Sequence, residues 1–92
     1  MRVTVRYMAQ LKEAAGASAE QVEVGPDDTA AELLRRLAEA HGERLRGLLL
    51  DAAGRPQPTI LLFHGDEQVR PDQALRLRDG DVLTLLSPMA GG

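Results

Sequence analysis

The sequence contains no cysteine, which removes disulfides, thiolate-ligated metals and a cysteine nucleophile in one step. Histidine is limited to His41 and His64, a poor supply for a site that needs three or four ligands. Serine occurs only as Ser18 and Ser87, neither in the Gly-x-Ser-x-Gly setting of a hydrolase elbow. Glycine-rich phosphate loops are missing as well. Tyr7 and Phe63 are the two aromatic residues, so base-stacking platforms and aromatic cation cages are implausible. No apolar run approaches the ~20 residues that a bilayer span needs, and no signal-peptide pattern precedes the first alternating segment. A cytoplasmic protein with no bound cofactor or metal is expected. It would not be catalytic alone.

What is present fits one small folded domain. The chain has 92 residues, 43% of them hydrophobic, enough for a core and too many for wholesale disorder. Eleven basic and 14 acidic residues leave a net charge of −3, spread without a basic run, which argues against nucleic acid or an anionic membrane as partner. Arg2 to Met8 alternate, with Val3, Val5 and Tyr7 on one face, and read as a half-buried strand. Ala9 to Ala15 are good helix formers stopped by Gly16. Glu20 to Val24 alternate again until Gly25-Pro26, and this strand is expected to pair antiparallel with the first.

The clearest helix runs from Ala30 to about His41. Thr29 and Glu32 fit a capping box, Asp27 and Asp28 place negative charge at the positive end of the helix dipole, and Ala30, Leu33, Leu34 and Leu37 form an apolar stripe, completed by Ala40 or His41. Glu32–Arg36 and Arg35–Glu39 are spaced as i,i+4 pairs. Leu45 to Leu50 is ambiguous: Leu48-Leu49-Leu50 fits either a buried strand or the end of a helical turn, and periodicity does not decide between them. Thr59 to His64 is an apolar strand, closed by a turn at Gly65-Asp66. Further turns fall at Pro71-Asp72 and Asp79-Gly80-Asp81, and Val82 to Leu86 form the last strand. Two strands, a long helix and two or three more strands describe an α+β two-layer sandwich, one sheet on one main helix.

After Leu86 the pattern stops. Pro88 cannot donate a ladder hydrogen bond, so the domain is expected to span residues 1–86 and a flexible tail residues 87–92. The closing Gly91-Gly92 has a chance frequency of ~0.5% at ordinary glycine usage. Glycine lacks Cβ and can thread a narrow slot in another protein. An α-carboxylate, ionised at neutral pH, on such a tether is a nucleophile that can be delivered to the α-phosphate of ATP in another enzyme. The resulting acyl-adenylate can be captured by sulfide or by an amine.

The opening Val3-Thr-Val-Arg-Tyr-Met-Ala-Gln-Leu-Lys-Glu-Ala-Ala-Gly16, the capped helix with Leu33, Leu34 and Leu37, Asp79-Gly-Asp-Val-Leu-Thr-Leu-Leu86 and Pro88-Met-Ala-Gly-Gly92 carry a resemblance. Over essentially its whole length the chain resembles the ubiquitin-like β-grasp sulfur carriers (the MoaD/ThiS family), and within them most the small subunits of molybdopterin synthase. The resemblance implies a β-grasp fold, a mixed sheet of four to five strands on one main helix. It also implies that Gly92, preceded by Gly91, is adenylated by a ubiquitin-activating-type enzyme that uses ATP and is then converted to a thiocarboxylate. The large subunit of molybdopterin synthase would receive the tail and take its sulfur for molybdenum cofactor biosynthesis. Carriers for thiamine, cysteine or another thio-metabolite share the tail, as do ubiquitin-like modifiers that form isopeptide bonds. The thiamine carriers usually lack much of the segment between the long helix and Thr59. The family more often has Asn-Gly where this chain has His64-Gly65-Asp66.

A docking surface is expected on the outer face of the sheet. With Leu61 and Phe63 turned toward the helix, Ile60 and Leu62 would point outward. With Leu83 and Leu85 inward, Thr84 and Leu86 would point outward beside the tail. Leu62, Leu86 and Met8 would then form the partner-binding patch, continued by Met89 and Ala90.

Overall fold

The computed structural model describes residues 1–71 and 75–87. Its elements run β1 (Arg2–Met8), α1 (Gln10–Ala15), β2 (Ala19–Glu23), α2 (Ala30–His41), α3 (Glu43–Leu49), β3 (Leu61–His64), β4 (Glu67–Val69) and β5 (Val82–Leu86). The five strands form one sheet in the order β2-β1-β5-β3-β4. The only parallel neighbours among them are β1 and β5, paired from Thr4↔Val82 to Met8↔Leu86. A parallel pair cannot be closed by a hairpin, and here the three helices together with β2, β3 and β4 lie between the two strands in the chain. The first and last strands therefore lie side by side at the centre of the sheet, and the chain leaves from its most protected strand.

Alternation buries Val3, Val5 and Tyr7 of β1 and Leu83 and Leu85 of β5 against the helices. From the other layer α2 contributes Ala30, Leu33, Leu34, Leu37 and Ala38, and α3 contributes Leu45 and Leu49. His41 stays partly buried, while Ala40 is exposed. The Glu32 amide donates to Thr29 Oγ1 at 3.3 Å, the expected cap. The arginines of the expected i,i+4 pairs reach further. Arg36 Nη2 lies 2.8 Å from Asp28 Oδ2, and Arg35 Nε donates to the Gly54 carbonyl at 3.1 Å. These contacts tie α2 to its entry loop and to the loop after α3, a restraint that a pair within one turn cannot supply.

Leu45 to Leu50, open to either reading from the sequence, is largely α3, and it ends where Leu50 bridges Pro56. The helix layer therefore holds two short helices beside the main one. Ala9, expected to open α1, instead precedes it with φ 52° and ψ −127°, a region that non-glycine residues enter at a cost. Gly16 caps α1 in the left-handed conformation, φ 75°. The short strand β4 is an element that the sequence pattern passed over.

The parity of β3 is opposite to expectation. Leu62 is 1% exposed and Ile60 is also buried, whereas Leu61 and Phe63 are only partly covered. A one-residue change of register exchanges the faces of a whole strand, and a run apolar at every position carries no alternation from which to read it. The pairing Leu62↔Leu85 decides the matter, because Leu85 points inward. Leu62 is thus a core residue and not part of an exposed partner-binding patch.

Candidate functional site

The region where the last strand ends is built from four strands, β1, β5, β3 and β4. Across the outer face the register sets Met8, Leu86 and Leu61 in one row, and Arg6, Thr84, Phe63 and Gln68 in the next. Met8 is 44% exposed, and Leu86, Leu61 and Phe63 are partly exposed. Of the expected patch, Leu86 and Met8 stand together on this face, and Leu61 with Phe63 takes the place assigned to Leu62. A hairpin argument would have found them. With a two-residue loop at Gly65-Asp66, Leu62 must face Val69, and Val69 is the one apolar residue of Glu67–Val69. Gly65 has φ 61°, suited to the first central position of a II′ turn. The departure from Asn-Gly therefore still closes a tight hairpin.

At the root of the tail, Ser87 is one of two buried polar residues among those described, at 6% exposure. Gln10 Nε2 donates to Ser87 Oγ at 3.3 Å, so α1 holds the chain at its exit from β5. This contact was not anticipated, since residues 77 positions apart show no pattern in a single sequence. Gly91, Gly92, Met89 and Ala90 lie outside the described residues, as does the expected release of the chain at Pro88.

The other polar clusters do structural work away from this exit. Tyr7 OH donates to Glu20 Oε2 at 3.1 Å, His41 Nε2 meets the same oxygen, and the Tyr7 and His41 rings meet edge to face at 5.9 Å. Burial, reinforced by the Glu20 charge, pushes the Tyr7 hydroxyl well above its ordinary pKa, so it remains a neutral donor. Asp28 accepts from the Gly25 amide at 2.6 Å, and this bond, aided by Arg36, holds its carboxyl below the usual range. Asp51 is lowered in the same way by the Arg55 and Ala53 amides, each at 2.9 Å, and by the Arg55 guanidinium. His64 Nε2 sits 3.1 Å from Asp81 Oδ1, tying the β3–β4 turn to the start of β5. Among the described residues no group of three or more His, Asp or Glu side chains is placed to hold a metal ion, and no helix is long and apolar enough to cross a membrane.

A mixed five-stranded sheet with its terminal strands paired in parallel at the centre, covered on one face by helices, is the ubiquitin-like β-grasp fold. SAMP1 from Haloferax volcanii superposes on it with a TM-score of 0.86 at 26% identity, each chain covered in full. The chain belongs to the ThiS family, whose model matches residues 5–92. It is 28% identical to the molybdopterin synthase sulfur carrier subunit of Chlamydomonas reinhardtii and 34% identical to small archaeal modifier protein 3 of Haloferax volcanii, each over the full length of both proteins. It is therefore a member of a family of ubiquitin-like sulfur carriers and small modifiers.

Proposed function

We propose that this chain is a sulfur carrier that works through the carboxylate of Gly92 and supplies sulfur for molybdopterin synthesis. The observation that carries the reading is the end-to-end match to a molybdopterin synthase sulfur carrier subunit, together with a central strand whose last residue, Leu86, stands in a half-exposed apolar row. In this mechanism a Gly92 carboxylate oxygen attacks the α-phosphorus of ATP in an activating enzyme, and pyrophosphate leaves. Sulfide, or the terminal sulfur of a partner's persulfide, then attacks the acyl carbon and AMP departs, leaving a thiocarboxylate. For a persulfide donor, a thiol of the partner must reduce the resulting acyl disulfide. In the large subunit of molybdopterin synthase the thiocarboxylate sulfur bonds to the substrate, and water then cleaves the acyl–sulfur bond, which leaves the sulfur on the substrate and regenerates the carboxylate. The chain itself provides the tether and the docking face, with Met8, Leu61, Phe63 and Leu86 against each partner in turn, and the partners provide the catalytic groups.

A second reading is favoured by the match to small archaeal modifier protein 3. In it a lysine amine captures the adenylate and forms an isopeptide bond. Intact-mass analysis of the protein from its own host separates the two: exchange of one oxygen for sulfur supports the carrier, and covalent adducts with other proteins support the modifier. Deletion of Gly92 should abolish ATP–pyrophosphate exchange by the activating enzyme while the melting temperature stays within about 1 °C, because the tail root is held at Gln10–Ser87. Full exchange without Gly92 would overturn both readings.

A further inference from the structure

The outer face is not uniformly apolar. On the side toward β2 it passes into an open concavity of about 430 Å³, lined by Arg6, Met8, Ala9, Lys12, Ser18 and Ala19 together with Tyr7. Arg6 and Lys12 are both exposed, and no carboxylate lines the concavity. Four other cations have carboxylate partners: Arg2 with Glu23, Arg36 with Asp28, Arg55 with Asp51 and Arg44 with Glu13. The last pair sets Glu13 4.0 Å from Arg44 of α3. Arg6 projects between Ala19 and Thr84 of the flanking strands, and neither offers it a charge. Lys12 is the sole lysine of the sequence. Two cations without a partner among the described residues thus stand over one concavity, and Met8 lines that concavity while it also begins the apolar row.

We propose that Arg6 and Lys12 form the charged rim of the docking face and receive an acidic surface of the protein that takes the tail. The inference rests on the reading that partners dock on the outer face, and it adds the chemistry that such a partner must present: carboxylates set beside an apolar patch. Continuity through Met8 favours a protein over a small anion. An occupant that covers both the cations and the Met8–Leu86–Leu61 row must be broad, and the concavity is open. The carboxylates supply the charge that the chain lacks at this spot. Rim charges act mainly on the rate of encounter and on its dependence on salt.

The test uses the full-length chain with the activating enzyme and the large synthase subunit of the same organism, with association followed by biolayer interferometry. The double variant Arg6→Glu/Lys12→Glu should lower the association rate about tenfold or more at low ionic strength, and the gap should close as salt screens the charges. Its melting temperature should match the parent's, since neither side chain loses an intramolecular partner. Arg46→Glu on α3, exposed on the helix layer, is the control and should associate normally. An unchanged rate for the double variant, or an equal loss in the control, overturns the proposal. So does saturable binding of pyrophosphate that depends on Arg6 and Lys12, which would identify a small-anion site. Binding is read without chemistry. A parent chain that associates in an Arg6- and Lys12-dependent way but never acquires sulfur overturns the carrier function and leaves the docking chemistry supported.

Discussion

The two faces of the sheet are made from the same strands and have been put to different uses. On the inner face Val3, Val5, Tyr7, Leu62, Leu83 and Leu85 are each at most 1% exposed, closed over by α1, α2 and α3. On the outer face Met8, Leu61, Phe63 and Leu86 occupy the alternate positions of those strands, and nothing in the described chain covers them fully. Apolar content does not distinguish the two, since β3 and β5 carry leucine on both. The difference is geometric: the helices lie on one side. An apolar surface that the domain leaves open where its last strand ends is suited to a partner. The comparison teaches that hydrophobicity marks a strand as buried or interfacial, and only the layer order tells which.

The sharpest way to break this comparison is to place one charge on each face in turn. Leu62→Glu buries an unpaired carboxylate in the core and should cost about 4–5 kcal/mol, enough to unfold a domain of this size. Leu61→Glu, one residue away, should leave the circular dichroism spectrum and cooperative melt intact and abolish partner binding. If Leu62→Glu stayed folded while Leu61→Glu unfolded, the assignment of the faces would be reversed.

A smaller effect separates the polar anchors of the helix layer from the sheet. Asp28 and Asp51 have lowered folded pKa values, so each binds protons less readily in the folded state than in the unfolded chain. Their stabilisation is fully present above the ordinary carboxylate pKa of ~3.9 and is lost as pH falls through their lowered values. Melting temperature should therefore decline below about pH 4, and Asp28→Asn should flatten part of that decline while lowering stability at neutral pH. An identical acid profile in the variant would remove Asp28 from the account.

The smallest effect concerns the joint between β1 and α1. Ala9 is exposed, at φ 52°, so Ala9→Gly relieves backbone strain but adds unfolded-state entropy. The expected net result is a gain of up to about 1 kcal/mol in urea denaturation. A loss would show that Ala9 sits there without strain.

Much of this protein was legible as local pattern. The alternation of Arg2–Met8, the cap at Thr29, the stripe of Ala30, Leu33, Leu34 and Leu37, the last strand Val82–Leu86 and the glycine pair at Gly91-Gly92 are each contained in short windows. There the chain's own periodicity or chemistry carries the information. The outward side of Leu86 and Met8 followed from such alternation. Long-range pairing decided the rest. The run Ile60 to Phe63 has no polar residue to mark a face, so Leu62 became core only when β3 met β5 and the helices chose a side. Leu45 to Leu50 became largely helical because Leu45 and Leu49, four residues apart, share one helical face and are buried together in the core. Arg36 left its i,i+4 partner because Asp28, pinned by the Gly25 amide, offered a better-placed charge. The clamp of Gln10 on Ser87 exists only because the first and last strands lie parallel at the centre of the sheet, a pairing that no local window of sequence can express.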